Sequence, residues 1–154
     1  LALISTSPLA ETPQQASARE PYIVAARSGR FSDVISKEMP TAWLADTPHR
    51  LYVMDLVRDM AIHQGADAYV KQARAMQRRR DQQSNLRKIN VPCMILTGDE
   101  DGCIPLAKQE LLAEMTPNAQ LKVIVGAGHL PMLEQPDAVN QSLSNWMHQA
   151  LVLR

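Results

Sequence analysis

The sequence predicts an α/β fold of about three parallel strands with flanking helices and an inserted, mostly helical stretch. Three observations carry that expectation. Residues 121–125, with Leu121, Val123, Ile124 and Val125, form a short run of branched and apolar side chains suited to a buried strand. Residues 93–97, from Cys93 through Ile95 to Thr97, form a second such run, and it too leads into a glycine and then a proline that opens a helix. Residues 11 to about 90 read as helical, with no convincing strand.

The residues that follow each run carry the chemistry. After residues 121–125 come Gly126 and Gly128, which let the backbone turn tightly through dihedrals that other residues avoid. His129 follows at once, at the carboxyl end of the strand, and Pro136 sits where a first helical position should be. An imidazole titrates near neutrality, as a general base requires, although most loop histidines are exposed and inert. The second run supplies what a lone histidine lacks. It ends in Gly98, Asp99, Glu100 and Asp101, with Pro105 opening a helix. Two neighbouring parallel strands would bring Asp101 and His129 to one edge of the sheet. An acid there fixes the tautomer of the histidine and stabilises its imidazolium.

Ile89, Pro92, Gly98, Asp101 and Pro105, followed by Gly126, Gly128, His129, Pro131, Glu134 and Pro136, form a pattern that resembles the carboxyl-terminal half of α/β hydrolases. The resemblance is strong from residue 89 to residue 151 and looser before it. It implies that Asp101 takes the place of the triad acid and His129 that of the triad base. Asp99 suits the acid less well, because the family's carboxylate lies three residues beyond the glycine. It also implies a division into a core strand (residues 1–10), a helical cap (11–88) and the carboxyl-terminal part of the core (89–154).

The family's nucleophile sits in a G-x-S-x-G elbow upstream of acid and base. None of the six glycines has a serine two places on, so the elbow is absent from these residues, and the oxyanion hole goes with it. The chain begins at Leu1 rather than methionine. The expectation is the later half of a longer hydrolase, without triad-dependent turnover of its own. Ser5 and Ser7 end the first strand, where serines usually cap turns. Cys103, paired with His129, is a further candidate nucleophile; it lies close in sequence to Asp101, with no helix start or basic neighbour in the sequence to lower its pKa.

Taken in order, residues 1–4 form a short apolar strand that resembles the family's sixth. Thr12-Pro13 starts a helix running to Ala26, with Gly29 as its terminator. A short helix is expected over 32–37. Asp46-Thr47-Pro48 starts another, with Leu51, Met54, Val57 and Ala61 on one face and Gly65 at its end. Residues 66–76 follow, with Tyr69, Val70 and Ala73 on the apolar side, and Asp81 caps a helix to about Lys88. Within the family such helices shape the acyl or leaving-group pocket. Met39, Trp43, Leu44, Met54, Met60 and Met76 are candidates for its lining, with plain packing as the alternative for each. Trp43, Met54 and Leu130 are the expected substrate-binding residues. Arg78-Arg79-Arg80 is expected to serve a helix end, where its charge meets the last carbonyls. Beyond Asp101, residues 106–115 form a helix that buries Leu111, Leu112 and Met115. A last helix, 136–153, carries Val139, Leu143, Trp146, Met147 and Ala150 as a core stripe. Glu134 is expected to place charge near that helix's start.

Composition sets the outer limits. Sixteen basic and sixteen acidic residues cancel, which argues against a nucleic-acid surface. No apolar run approaches a membrane span. Cys93 and Cys103 look like neither a disulfide framework nor a zinc site, and reduced thiols point to the cytoplasm. His49, His63 and His148 have no partners at ligand spacing, so neither metal nor cofactor is expected. Two functions follow. In the first, the parent protein is a serine hydrolase of small-molecule esters, lactones or related carbonyl substrates, and this chain supplies acid and base. In the second, the chain is a non-catalytic piece that self-associates, or docks on its missing half, through the open edge of the first strand.

Overall fold

The computed structural model describes residues 1–152, with side chains described through residue 149. The chain forms two compact units. A sheet unit comprises Leu1–Pro8, Ala42–Arg50 and the residues from Gln83 onward, and a helical unit comprises Leu9–Thr41 and Leu51–Gln82. These limits differ from the expected 1–10, 11–88 and 89–154, chiefly at Ala42–Arg50, which groups with the sheet. The reason is hydrogen bonding: backbone groups of this segment meet loops at the sheet's carboxyl edge, including His129 N–H donating to the Trp43 carbonyl at 2.8 Å.

In the sheet unit, β1 (Ala2–Ile4), β2 (Cys93–Gly98) and β3 (Ala119–Ile124) lie in that order, all parallel. Every residue of β2 is buried, because both faces of a parallel sheet's central strand are covered. On one face Met94 and Leu96 pack with Ile124, Ala127 and Val139, together with Leu143 and Trp146 of α8 (Pro136–Val152). On the other face Ile95 packs with Leu86 and with Leu112 of α6 (Leu106–Met115). Residue 86 ends a single helical turn, α5 (Gln83–Leu86), shorter than the helix expected to reach Lys88.

Three expectations need correction here. The β3 strand begins at Ala119, earlier than expected, and it is half-buried; Val125, expected inside it, is 79% exposed. Among the described residues it is an edge strand, and α8 covers one face at Ile124 while Gln120 and Lys122 remain exposed. In α6 the buried stripe is Gln109 and Leu112, whereas Leu111 is 52% exposed. In α8, Met147 is 50% exposed, so the core stripe narrows to Val139, Leu143 and Trp146. The expected Ala150 side chain and Leu153 lie outside the described residues.

In the helical unit, Thr12 caps α1 (Pro13–Ala18) through a reciprocal pair with Gln15. The expected helix to Ala26 is two helices: α2 (Glu20–Arg27) starts afresh, with Pro21 in its first turn. α3 (Phe31–Glu38) follows, then a single 3₁₀ turn at Thr41–Trp43. Asp46-Thr47-Pro48 does not itself open a helix; α4 (Arg50–Arg78) begins just beyond it and breaks at Gly65, where φ is 83°. Ile23, Ala26, Val34, Val70 and Ala73 form this unit's core, flanked by Phe31 and Tyr69 with ring centroids 5.6 Å apart. Arg74 pairs with Glu20, and Gln77 donates to the Ala16 carbonyl at 2.7 Å, tying α4 to α1 and α2. Arg79 donates to the Leu9 carbonyl at 2.6 Å, so this arginine fastens the start of the unit rather than a helix end.

Ile95 has no exposed surface, so Ile95→Ala should lower unfolding free energy by about 2–5 kcal/mol. Leu111→Ala should stay within about 0.5 kcal/mol of the parent. Urea unfolding followed by circular dichroism separates the two; equal losses would contradict the burial assigned here.

Candidate active site

Parallel pairing of β2 and β3 sets Gly98 opposite Ile124, so both chains leave the sheet at the same level. The loops beyond stay together: Asp99 N–H donates to the Ile124 carbonyl at 3.2 Å and Glu100 N–H to the Ala127 carbonyl at 2.9 Å. A Cβ at Gly98 would lie 2.0 Å from the Ala127 oxygen, which excludes every side chain there. Gly126 has φ 68°, the turn dihedral expected of it. Gly128 is needed for a different reason than the one expected. Its φ is not positive, but a Cβ would lie 2.4 Å from the Trp43 carbonyl oxygen.

The two acids of the first loop have separate tasks. Asp99 Oδ1 accepts from Gly126 N–H at 2.8 Å and from Ala127 N–H at 3.4 Å, binding one loop to the other. Asp101, whose side chain has no exposed surface, accepts from Cys103 N–H and Ile104 N–H through Oδ1, both at 2.8 Å. Its Oδ2 lies 3.0 Å from His129 Nδ1. A carboxylate can only accept, so the Nδ1 proton points at Asp101 and Nε2 is left as the nitrogen that exchanges a proton.

The imidazole is 20% exposed at its side chain. Burial alone would disfavour its charged form, but the Asp101 carboxylate bonded to the ring and the Cys103 thiol beside it outweigh that, and its pKa is pushed up to about 10. The Trp43 ring meets the imidazole edge-on, with centroids 5.7 Å apart and planes at 68°.

Of the expected site residues, the structure brings Asp101, His129 and Trp43 together, with Leu130 next along the chain. Met54 belongs to the helical unit, where it is 1% exposed. Glu134 does more than place charge at a helix start. Its Oε2 accepts from Ala45 N–H at 2.8 Å and Gly128 N–H at 2.9 Å, and its Oε1 from Leu130 N–H at 3.0 Å. The local signal was there, since Glu134 lies one helical turn beyond Leu130; the Ala45 contact, 89 residues distant, has none. Between them, Pro131–Glu134 forms an unforeseen single turn, α7. His63 and His148 each turn Nδ1 to the carbonyl four residues back, at 2.8 and 2.7 Å. Among the described residues no group of three or more His, Cys, Asp or Glu is arranged to hold a metal. No helix among them is long and apolar enough to cross a membrane.

Comparison with known proteins places the fold. Over 64 residues the chain is 41% identical to a poly(3-hydroxyalkanoate) depolymerase of Ectopseudomonas oleovorans, a match spanning 42% of this chain and 22% of that protein. An esterase from Thermogutta terrifontis superposes with a TM-score of 0.90 at 25% identity, covering 97% of this chain and 56% of the esterase. An enol-lactonase from Burkholderia xenovorans shares the fold, with a TM-score of 0.79 at 21% identity, over 96% of this chain and 55% of the lactonase. This chain therefore spans little more than half the length of these solved structures. The sequence model of the α/β hydrolase family matches residues 2–142, and the chain belongs to that family.

Proposed function

We propose that this chain carries the acid and base of a Ser-His-Asp hydrolase acting on ester, lactone or related carbonyl substrates. The serine would be supplied by a segment outside these residues. The observation that supports this reading is the Asp101 carboxylate, enclosed and 3.0 Å from His129 Nδ1. In the proposed reaction His129 Nε2 takes the serine proton as the oxygen attacks the carbonyl carbon, and Asp101 holds the resulting imidazolium. His129 then returns the proton to the leaving alkoxide, and water repeats the sequence on the acyl-enzyme. Trp43, edge-on to the imidazole, and Leu130 beside it are the residues proposed to meet the substrate. Two free cysteines favour a reducing, cytoplasmic location.

The chain alone should not turn over a chromogenic short-chain ester. A longer polypeptide that includes the preceding coding sequence should do so, and His129→Ala there should lower kcat by about 10³-fold or more. Turnover by the chain itself, abolished by His129→Ala, would place a nucleophile within these residues and overturn this division of labour.

The His129 pKa also has a sign that can be checked. It is raised from the ordinary 6.5 to about 10, so the pair's stabilisation is fully present below about pH 6.5 and is lost as pH climbs through about 10. Denaturant midpoints should fall across that window, and Asp101→Asn should flatten the fall. As a general base His129 acts deprotonated, so kcat/KM of the longer enzyme should rise toward alkaline pH.

A second reading has its own observation. Strand β1 pairs with β2 on one side, and among the described residues no strand pairs with its other edge. Such an edge recruits another strand, either from a segment outside these residues or from a second copy. Light scattering on the chain alone should then show concentration-dependent association. A monomer at high concentration would count against this reading and leave the first untouched.

A further inference from the structure

Three consecutive amides around His129 are fixed by groups remote from the imidazole. Gly128 N–H and Leu130 N–H donate to the two oxygens of Glu134, and the His129 N–H between them donates to the Trp43 carbonyl at 2.8 Å. The same Glu134 Oε2 also takes Ala45 N–H at 2.8 Å, so the carboxylate grips both sides of the base and the segment that the base leans on. A carboxylate serving only to cap α7 would need the Leu130 amide and nothing 89 residues away.

We propose that Glu134 is a positioning residue for His129, holding residues 128–130 and 43–45 in the one arrangement that presents the imidazole to Asp101. The inference rests on the reading of His129 as the base, and it goes beyond that reading by assigning the aim of the base to a third carboxylate. There is little slack in the arrangement. A Cβ on Gly128 would meet the Trp43 oxygen at 2.4 Å, so the two backbones already touch. The Asp101–His129 bond is 3.0 Å, and a shift of about 1 Å takes such a pair out of hydrogen-bonding range. Three N–H donors converge on two carboxylate oxygens. A glutamine at 134 would offer one oxygen, and an NH₂ group facing donors it cannot accept from.

The test is nuclear magnetic resonance on the ¹⁵N-labelled 154-residue chain, reading the His129 Nδ1–H signal and the pH titration of the ring. Glu134→Gln should weaken or remove that signal and lower the titration midpoint by about one unit or more. Leu112→Ala, in the core beneath α6, should lower the melting temperature and leave both His129 readouts as in the parent. A Glu134→Gln chain that is less stable but has parental His129 readouts would make Glu134 a plain structural cap and overturn the proposal. Asp101→Asn distinguishes the two levels: if it fails to move the ring titration, the acid–base pairing falls, whatever Glu134 does. Should Glu134→Gln not fold, the parent chain still decides. Hydrogen exchange at the amides of Ala45, Gly128 and Leu130 should be slowed in all three, and fast exchange at any one of them would overturn the shared grip.

Discussion

The meeting of acid and imidazole at the carboxyl edge of the sheet depends on how the Asp101 carboxylate divides its two oxygens. Oδ1 is taken by the amides of Cys103 and Ile104, which close the loop that carries the acid. Oδ2 is thereby left for His129. A charged carboxylate without exposed surface is stable only when such partners surround it, so loop closure and acid placement are one event. Strand pairing then sets the distance. Gly98 lies opposite Ile124 in a parallel ladder, and each chain has only a few residues in which to reach the other.

The site is built from backbone meeting backbone more than from side chains interlocking. Loops after β2 and β3 exchange hydrogen bonds, and the 3₁₀ turn at Thr41–Trp43 approaches from a third direction. At Gly98, Gly102 and Gly128 a Cβ would lie within 2.4 Å of a backbone oxygen from one of the other two segments. That is why a short stretch bordered on both sides by the helical unit belongs to the sheet unit. Its carbonyl and amide groups find their partners at the sheet edge, and a buried backbone group left without one would cost on the order of 1–3 kcal/mol.

What the sequence made legible follows from whether the signal was local. The strands, the helix starts at Thr12-Pro13 and Pro136, and the break at Gly65 are each written in a few adjacent residues, and so they could be read. The Asp101–His129 pair was legible because two strand–glycine–loop patterns shared one layout, and parallel strands bring such loops to the same edge. Trp43 reads as part of a helical insertion because its contacts with His129 span 86 residues, and no periodicity encodes them. Residues 121–125 look like a buried strand because branched apolar side chains are equally at home on a partly covered edge. The burial of Gln109 was invisible for a related reason. Its Nε2 donates to the Thr6 carbonyl at 2.9 Å, a partner 103 residues away, while its buried Oε1 has none among the described residues.

The charge state of His129 connects the site to what would have to cover it. With its pKa near 10 the ring is an imidazolium at neutral pH, which is the state a base reaches after taking a proton. Asp101 and Cys103 hold that charge, while burial opposes it, and one fifth of the side chain remains open to water. Covering that remainder strengthens the opposing effect and moves the ring toward the neutral form in which a base must begin.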